Sequence, residues 1–93
     1  MINSTARIQI PTDVLYRDLG GEAVIANLTT GQYYGLDEIG ARTWTLLVEH
    51  GQLEPAVQTL LAEYAVEERQ LRQDLSQLLN TLADHGLLQI VTA

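Results

Sequence analysis

Few residues in this chain could do covalent or acid–base chemistry. Cysteine is absent, so the sequence offers neither a thiol nucleophile nor a thiolate metal ligand. His50 and His85 each lie at the predicted C-terminus of a helix, where histidine complements the helix dipole, and we interpret both as capping residues rather than metal ligands. Glu67 and Glu68 are adjacent carboxylates, but their place at a predicted helix start favours a structural role over an acid–base pair.

The motifs of common catalytic sites are also missing from the sequence. It contains no HExxH zinc motif, no GxSxG nucleophile motif, no glycine-rich phosphate loop and no cluster of metal ligands. We therefore expect a protein that is not an enzyme and that uses no metal and no cofactor. The function that remains is binding.

Composition and charge restrict the partner. A length of 93 residues with 46% hydrophobic residues predicts a single domain over residues 1–93, with a core at about 14–91. The chain has twelve acidic and five basic residues, which give a net charge of −7. The five bases are all arginines, and they do not form a cluster. This charge disfavours nucleic acid and suits a partner with some positive charge. The sequence has no signal peptide and no apolar run of the ~18 residues that a membrane span needs, so we expect a cytoplasmic location.

The sequence predicts strands in its N-terminal part and helices after them. Gly20-Gly21 and Thr29-Thr30-Gly31 have the composition of tight turns, and they separate predicted strands at 14–19, 22–28 and 32–36. These strands form a three-stranded antiparallel meander with the last one at an edge. Residues 8–10 could add a short strand, and residues 88–91 either add another or simply pack.

Three helices are predicted after the meander, at about 38–50, 54–65 and 67–85. Asp37 is the expected N-cap of the first helix, and Trp44 is its expected core residue. Leu71, Leu75, Leu78 and Leu82 predict a buried seam on the third helix. The fold class is therefore α+β, similar to a winged helix-turn-helix, with a β-meander followed by a three-helix bundle.

The register of the second hairpin is left open by the sequence. Leu28 would pair with either Tyr33 or Gln32, depending on the length of the loop. In both registers Tyr33 and Tyr34 point to opposite faces of the sheet, because successive strand side chains alternate.

The edge strand at 32–36 is the most plausible binding surface. An edge presents unpaired N–H and C=O groups, and an extended peptide can pair with them while side-chain pockets supply specificity. Two other interpretations are that the strand is short because proteins blunt their edges, or that residues 88–91 cover it.

The stretch TGQYYGLDEIGARTW, residues 30–44, resembles the pattern of the PqqD-like domains, also called RiPP recognition elements. The pattern has a turn glycine, two aromatics, a leucine, an Asn or Asp cap and a helical tryptophan. Here it is matched by Gly31, Tyr33, Tyr34, Leu36, Asp37 and Trp44, and the likeness extends over about 21–88. Members of this family bind the leader segment of a ribosomally made precursor peptide, so the resemblance implies that partner.

The resemblance also implies a site. In the family the leader adds to the third strand of the meander, in a groove between that strand and the third helix. The strand residues carried over are Gln32, Tyr33, Tyr34, Gly35 and Leu36. Helical spacing adds four expected groove residues from the third helix: Arg72, Leu75, Ser76 and Leu79.

In this family the domain occurs as a separate short chain in two pathways, and the resemblance does not decide between them. In one it hands its precursor to the leader peptidase of lasso-peptide biosynthesis, which we favour, and in the other it presents a precursor to a radical SAM enzyme in pyrroloquinoline quinone synthesis. A winged-helix DNA-binding regulator is a lesser alternative. Four acids against Arg69 and Arg72 on the third helix make it unfavourable. Whether the chain is a monomer or a dimer is not predicted.

Overall fold

The structure, a computed structural model, describes residues 6–91. Its elements follow the order β1 (Arg7–Gln9), β2 (Val14–Asp18), β3 (Ala23–Asn27), β4 (Tyr33–Leu36), α1 (Glu38–His50), α2 (Leu53–Glu63), α3 (Glu68–Asp84) and β5 (Gln89–Val91). The predicted α+β class, with an antiparallel meander followed by three helices, is confirmed. No helix within the described range is long and apolar enough to cross a membrane.

The meander has the strand order β2-β3-β4, with both neighbours antiparallel. Neither register considered for the second hairpin is right, because Tyr33 pairs with Ala26. The Asn27 side chain sets the turn: its Oδ1 accepts hydrogen bonds from the backbone N–H groups of Thr29 and Thr30. Gly31 then has a φ of 80°, a value that favours glycine. A side-chain bond of this kind is difficult to anticipate from turn composition alone.

A second, two-stranded sheet joins the chain ends that the structure describes. β1 pairs with β5 in antiparallel register, and Ile8 lies opposite Ile90. The Ile8 N–H also donates to the Gly51 carbonyl at 2.8 Å. Ala6 and Ile8 are buried, so this N-terminal segment packs against the rest of the domain. The alternative in which residues 88–91 cover the β4 edge does not occur.

Helix α1 anchors the core against the meander. The Asp37 Oδ1 accepts a hydrogen bond from the Gly40 N–H at 2.8 Å, as expected for an N-cap. Trp44 is 3% exposed, and its ring lies parallel to that of Tyr16 on β2 with the centroids 6.4 Å apart. This aromatic contact connects the helix layer to the sheet layer.

Helix α3 differs from its predicted seam at one position. Its buried leucines are Leu71, Leu75, Leu79 and Leu82, whereas Leu78 is only half-buried. The helix is therefore rotated so that Leu79, not Leu78, enters the core. Gly86, with a φ of 70°, ends the helical segment and turns the chain toward β5.

One ion pair connects α3 to α2, and a second lies within the first turns of α3. The Arg72 guanidinium donates to both carboxylate oxygens of Glu54 on α2, each at 2.8 Å, and to Glu68 on its own helix at 2.9 Å. The hydrogen bonds from Arg72, followed by one from Gln58, lower the pKa of Glu54 to about 2. The same two carboxylates raise the pKa of Arg72.

The aromatic core contact predicts the cost of removing Trp44. Trp44→Ala should lower the free energy of unfolding by about 3–5 kcal/mol, because it removes the tryptophan from the core and leaves a cavity. A small domain holds only about 5–15 kcal/mol in total, so the variant should melt at a much lower temperature or be unfolded. Thermal melting followed by circular dichroism tests this, and a near-wild-type melting temperature would contradict the packing described.

The Glu54–Arg72 pair predicts a pH-dependent stability. Since the folded-state pKa of Glu54 is depressed, its contribution is present above the unfolded value of about 4.5 and is lost as the pH falls toward 2. Both side chains are partly exposed, so we expect about 1 kcal/mol or less. Glu54→Gln should melt below wild type at pH 7, and the gap should close near pH 2. Glu22→Gln on the exposed first hairpin controls for losing one negative charge, and a gap that persists at pH 2 would refute this account.

Candidate peptide-binding groove

A groove of about 710 Å³ runs between the edge strand and the third helix. One wall is β4 with the start of α1, and the other is α3 with the segment just before it. The described residues that line it are Tyr34, Gly35, Leu36, Asp37, Ile39, Gly40, Val66, Glu67, Gln70, Leu71, Asp74, Leu75, Gln77, Leu78 and Thr81. Most of the lining is apolar, so the groove can hold the side chains of an extended segment.

The backbone of β4 presents unpaired groups beside this groove. Strand β4 lies at the edge of its sheet, and within residues 6–91 no strand pairs with its outer side. The Asn27 N–H donates to the Gln32 carbonyl at 2.8 Å, which makes residues 27 and 32 a hydrogen-bonded pair. Because such pairs alternate along an antiparallel ladder, Tyr34 and Leu36 bond to β3, and the N–H and C=O groups of Tyr33 and Gly35 point outward.

Contacts at one end of the groove hold its two walls together. The Tyr34 ring meets the His85 ring edge-on, with the centroids 5.9 Å apart. Beside this contact the Asn27 Nδ2 donates to the Gly86 carbonyl at 2.8 Å. The hairpin is therefore attached to the C-terminal end of α3, and the groove extends from there toward Val66 and Glu67. His85 also donates from Nδ1 to the Thr81 carbonyl at 2.8 Å, in agreement with its predicted capping role.

The tyrosines occupy opposite faces, as the sequence predicted. Tyr33 is 72% exposed and lies outside the groove, whereas Tyr34 is half-buried and lines it. Gly35 and Leu36 also line the groove, and Gln32 flanks the strand as an exposed residue. A Cβ built on Gly35 would meet nothing within 4 Å, so packing inside the domain does not require a glycine there.

The structure brings only one of the four expected α3 residues to the groove. Leu75 lines it, but Arg72 is directed toward Glu54 on α2, Ser76 is buried, and Leu79 is 0% exposed in the core. The expected flank thus lies about half a turn away from the actual one. A helix with leucines on two sides does not reveal which side meets the sheet, so helical spacing alone could not select the correct flank.

The groove face of α3 instead carries residues that the sequence reasoning missed: Gln70, Leu71, Asp74, Gln77, Leu78 and Thr81. Their spacing of three and four residues is that of one helical stripe, which was visible in the sequence. What the sequence did not show is that this stripe faces β4 across the groove. In the described part of the chain, no three His, Asp or Glu side chains lie close enough together to hold a metal ion.

Two solved structures have a similar fold. The chain of a structure described as "TbiB1 in Complex with the TbiA(beta) Leader Peptide" is 37% identical, with a TM-score of 0.81 over 87% of this chain and 94% of that one. A second, "Lasso peptide synthetase B1 complexed with the leader peptide", is 20% identical, with a TM-score of 0.79 over 90% of this chain and 99% of that one, and it supports the fold.

Sequence comparison identifies the family. No curated protein sequence matches the chain significantly. The model of the family described as "Coenzyme PQQ synthesis protein D (PqqD)" matches residues 22–88, which include β3, β4 and all three helices. The chain therefore belongs to the PqqD family.

Proposed function

We propose that this protein is a RiPP recognition element that binds the leader segment of a ribosomally made precursor peptide by strand addition to β4. The observation that carries the proposal is the unpaired β4 edge beside the groove. A leader strand would bond to the outward groups of Tyr33 and Gly35. Alternate leader side chains would enter the groove, where the main-chain bonds supply affinity and the apolar lining supplies specificity.

Two pathways differ in the enzyme that receives the leader, and the solved structures favour one of them. A structure 37% identical to this chain is described as a complex with a leader peptide, and a more distant one is named a lasso peptide synthetase B1. We therefore assign this chain to lasso-peptide biosynthesis, where it presents the precursor to a separate leader peptidase in the cytoplasm. The family description favours the second candidate, a chaperone of pyrroloquinoline quinone synthesis that serves a radical SAM enzyme.

In either pathway the domain itself is an accessory protein without catalytic activity. The groove mixes apolar and polar side chains, and two of its three carboxylates accept hydrogen bonds from the N–H groups at helix starts. Helix α3 is also poorly suited to DNA, because its Arg72 is paired with two acids and phosphate would meet Glu67, Glu68, Asp74 and Asp84.

The accessory role predicts the outcome of a processing assay. Incubated with the precursor encoded beside its gene, the pure protein should bind the leader and leave the precursor mass unchanged. Addition of the neighbouring peptidase should then give cleavage that is faster with this protein than without it. Mass spectrometry follows both steps, and cleavage or modification by this protein alone would contradict the proposal.

Strand addition predicts the effect of proline at the edge. Tyr33→Pro removes an outward N–H without removing a β3–β4 bond, so the fold should survive while leader affinity falls by about tenfold, from the loss of one or two hydrogen bonds of about 0.5–1.5 kcal/mol each. Isothermal titration calorimetry measures the affinity, and circular dichroism checks the fold.

Two variants serve as controls for this measurement. Tyr33→Ala removes the exposed ring but keeps the N–H, and it should bind better than Tyr33→Pro. Tyr34→Pro removes an inward N–H that bonds to β3, so it should lower the melting temperature more than Tyr33→Pro does. If folded Tyr33→Pro binds the leader as tightly as Tyr33→Ala, the leader does not add to β4.

A further inference from the structure

The described groove residues have a one-sided charge. They include the carboxylates of Asp37, Glu67 and Asp74, and no lysine, arginine or histidine is among them. The ion-paired bases lie elsewhere: Arg42 pairs with Glu63, and Arg72 pairs with Glu54 and Glu68. The groove is therefore bordered by negative charge, and none of its described lining residues has a positively charged side chain.

Two of the three carboxylates have partners that explain their presence. The Asp37 Oδ1 caps α1 through the Gly40 N–H at 2.8 Å. Glu67 caps α3, where its two oxygens accept from the N–H groups of Arg69 and Gln70 at 3.1 and 2.8 Å. Both carboxylates face the positive end of a helix dipole, which offsets their charge.

Asp74 differs from these two residues because it lies in the interior of α3. Its Oδ1 accepts from the Gln70 Nε2 at 2.8 Å, and this neutral amide holds the carboxylate in place without neutralising it. Within residues 6–91, the ion pairs at 4.0 Å or less do not include Asp74. Asp74 is exposed and lines the groove, so a cation of a bound segment could reach its carboxylate.

The residues around Asp74 indicate which kind of leader side chain would fit beside it. Leu71 and Leu78 lie one turn from Asp74 on the same helical stripe, Leu75 follows it directly in the chain, and all three leucines line the groove. The aliphatic stem of a lysine or arginine can lie along such an apolar surface while its charged end reaches a carboxylate. Since alternate side chains of an added strand face the groove, this cation would share a face of the leader with apolar side chains.

We propose that the groove selects a leader segment whose groove-facing side chains combine apolar residues with a lysine or arginine that pairs with Asp74. This inference rests on the proposed function and specifies its ligand. Apolar contacts would supply general affinity for an extended segment. The Asp74 pair would discriminate among leaders and fix the position of the bound strand, because a shift by one residue turns the cation away from the groove.

The test uses a fluorescein-labelled synthetic peptide with the leader sequence of the precursor encoded beside this gene. Fluorescence anisotropy gives its affinity for wild type, Asp74→Asn and Asp84→Asn. Asp74→Asn keeps the shape and the acceptor for Gln70, so we expect an intact fold, an affinity about tenfold lower and a weaker dependence on salt. Asp84→Asn removes the same charge from an exposed position of α3 outside the groove, and it should bind like wild type.

Charge exchange then identifies the partner of Asp74. Each lysine or arginine of the leader is replaced by glutamate in turn, and one replacement should weaken binding to wild type far more than the others. That same peptide should recover affinity with Asp74→Lys. Tight wild-type binding that Asp74→Asn leaves unchanged, or a leader without lysine or arginine that binds tightly, would overturn this inference while leader binding itself stands. Failure of wild type to bind the leader would overturn both proposals.

Discussion

The relation between the hairpin and the third helix depends on one buried side chain. Asn27 is 7% exposed, and its amide oxygen shapes the turn through the N–H groups of Thr29 and Thr30. Its amide nitrogen donates to the Gly86 carbonyl at the end of α3. A buried amide is costly unless its groups are bonded, so the turn and the helix end are held in one arrangement. The β4 edge and α3 are thereby aligned.

This arrangement explains why a groove exists at all. The hairpin meets α3 at its C-terminal end, where Tyr34 also contacts His85. At the other end Arg72 holds the first turns of α3 against α2 rather than against β4. The helix is therefore held at both ends, and residues 6–91 leave an open groove beside β4. Leu78 lies in that space, and this position accounts for its partial exposure.

The charged side chains also separate into those that join helices and those that border the groove. Arg42 and Arg72 join helices to one another away from the groove, while groove carboxylates either cap helices or, at Asp74, remain unpaired with a base among the described residues. The ion pairs that join the helices and the carboxylates that border the groove therefore lie on different parts of the acidic surface. A net charge of −7 is consistent with a partner that has positive charge, and the proposed leader site would place that partner beside the groove carboxylates.

The sequence by itself determined the α+β class, the order of the elements, the Asp37 cap, the burial of Trp44 and the opposite faces of Tyr33 and Tyr34. These features follow from local chemistry: turn residues, capping side chains and the periods of strands and helices. Only the tertiary structure decided the hairpin register, the pairing of β1 with β5 and the flank of α3 that meets the groove. The β1–β5 pairing and the flank of α3 depend on residues distant in the chain, such as Ile8 opposite Ile90 and Arg72 bonded to Glu54. The register depends on the Asn27 side chain, which bonds both to its own turn and to Gly86. Leucines on two sides of a helix bury similar apolar area, so composition cannot distinguish the core face from the groove face. For this reason the sequence predicted Leu78 in the core and Leu79 in the groove, whereas the structure has the reverse.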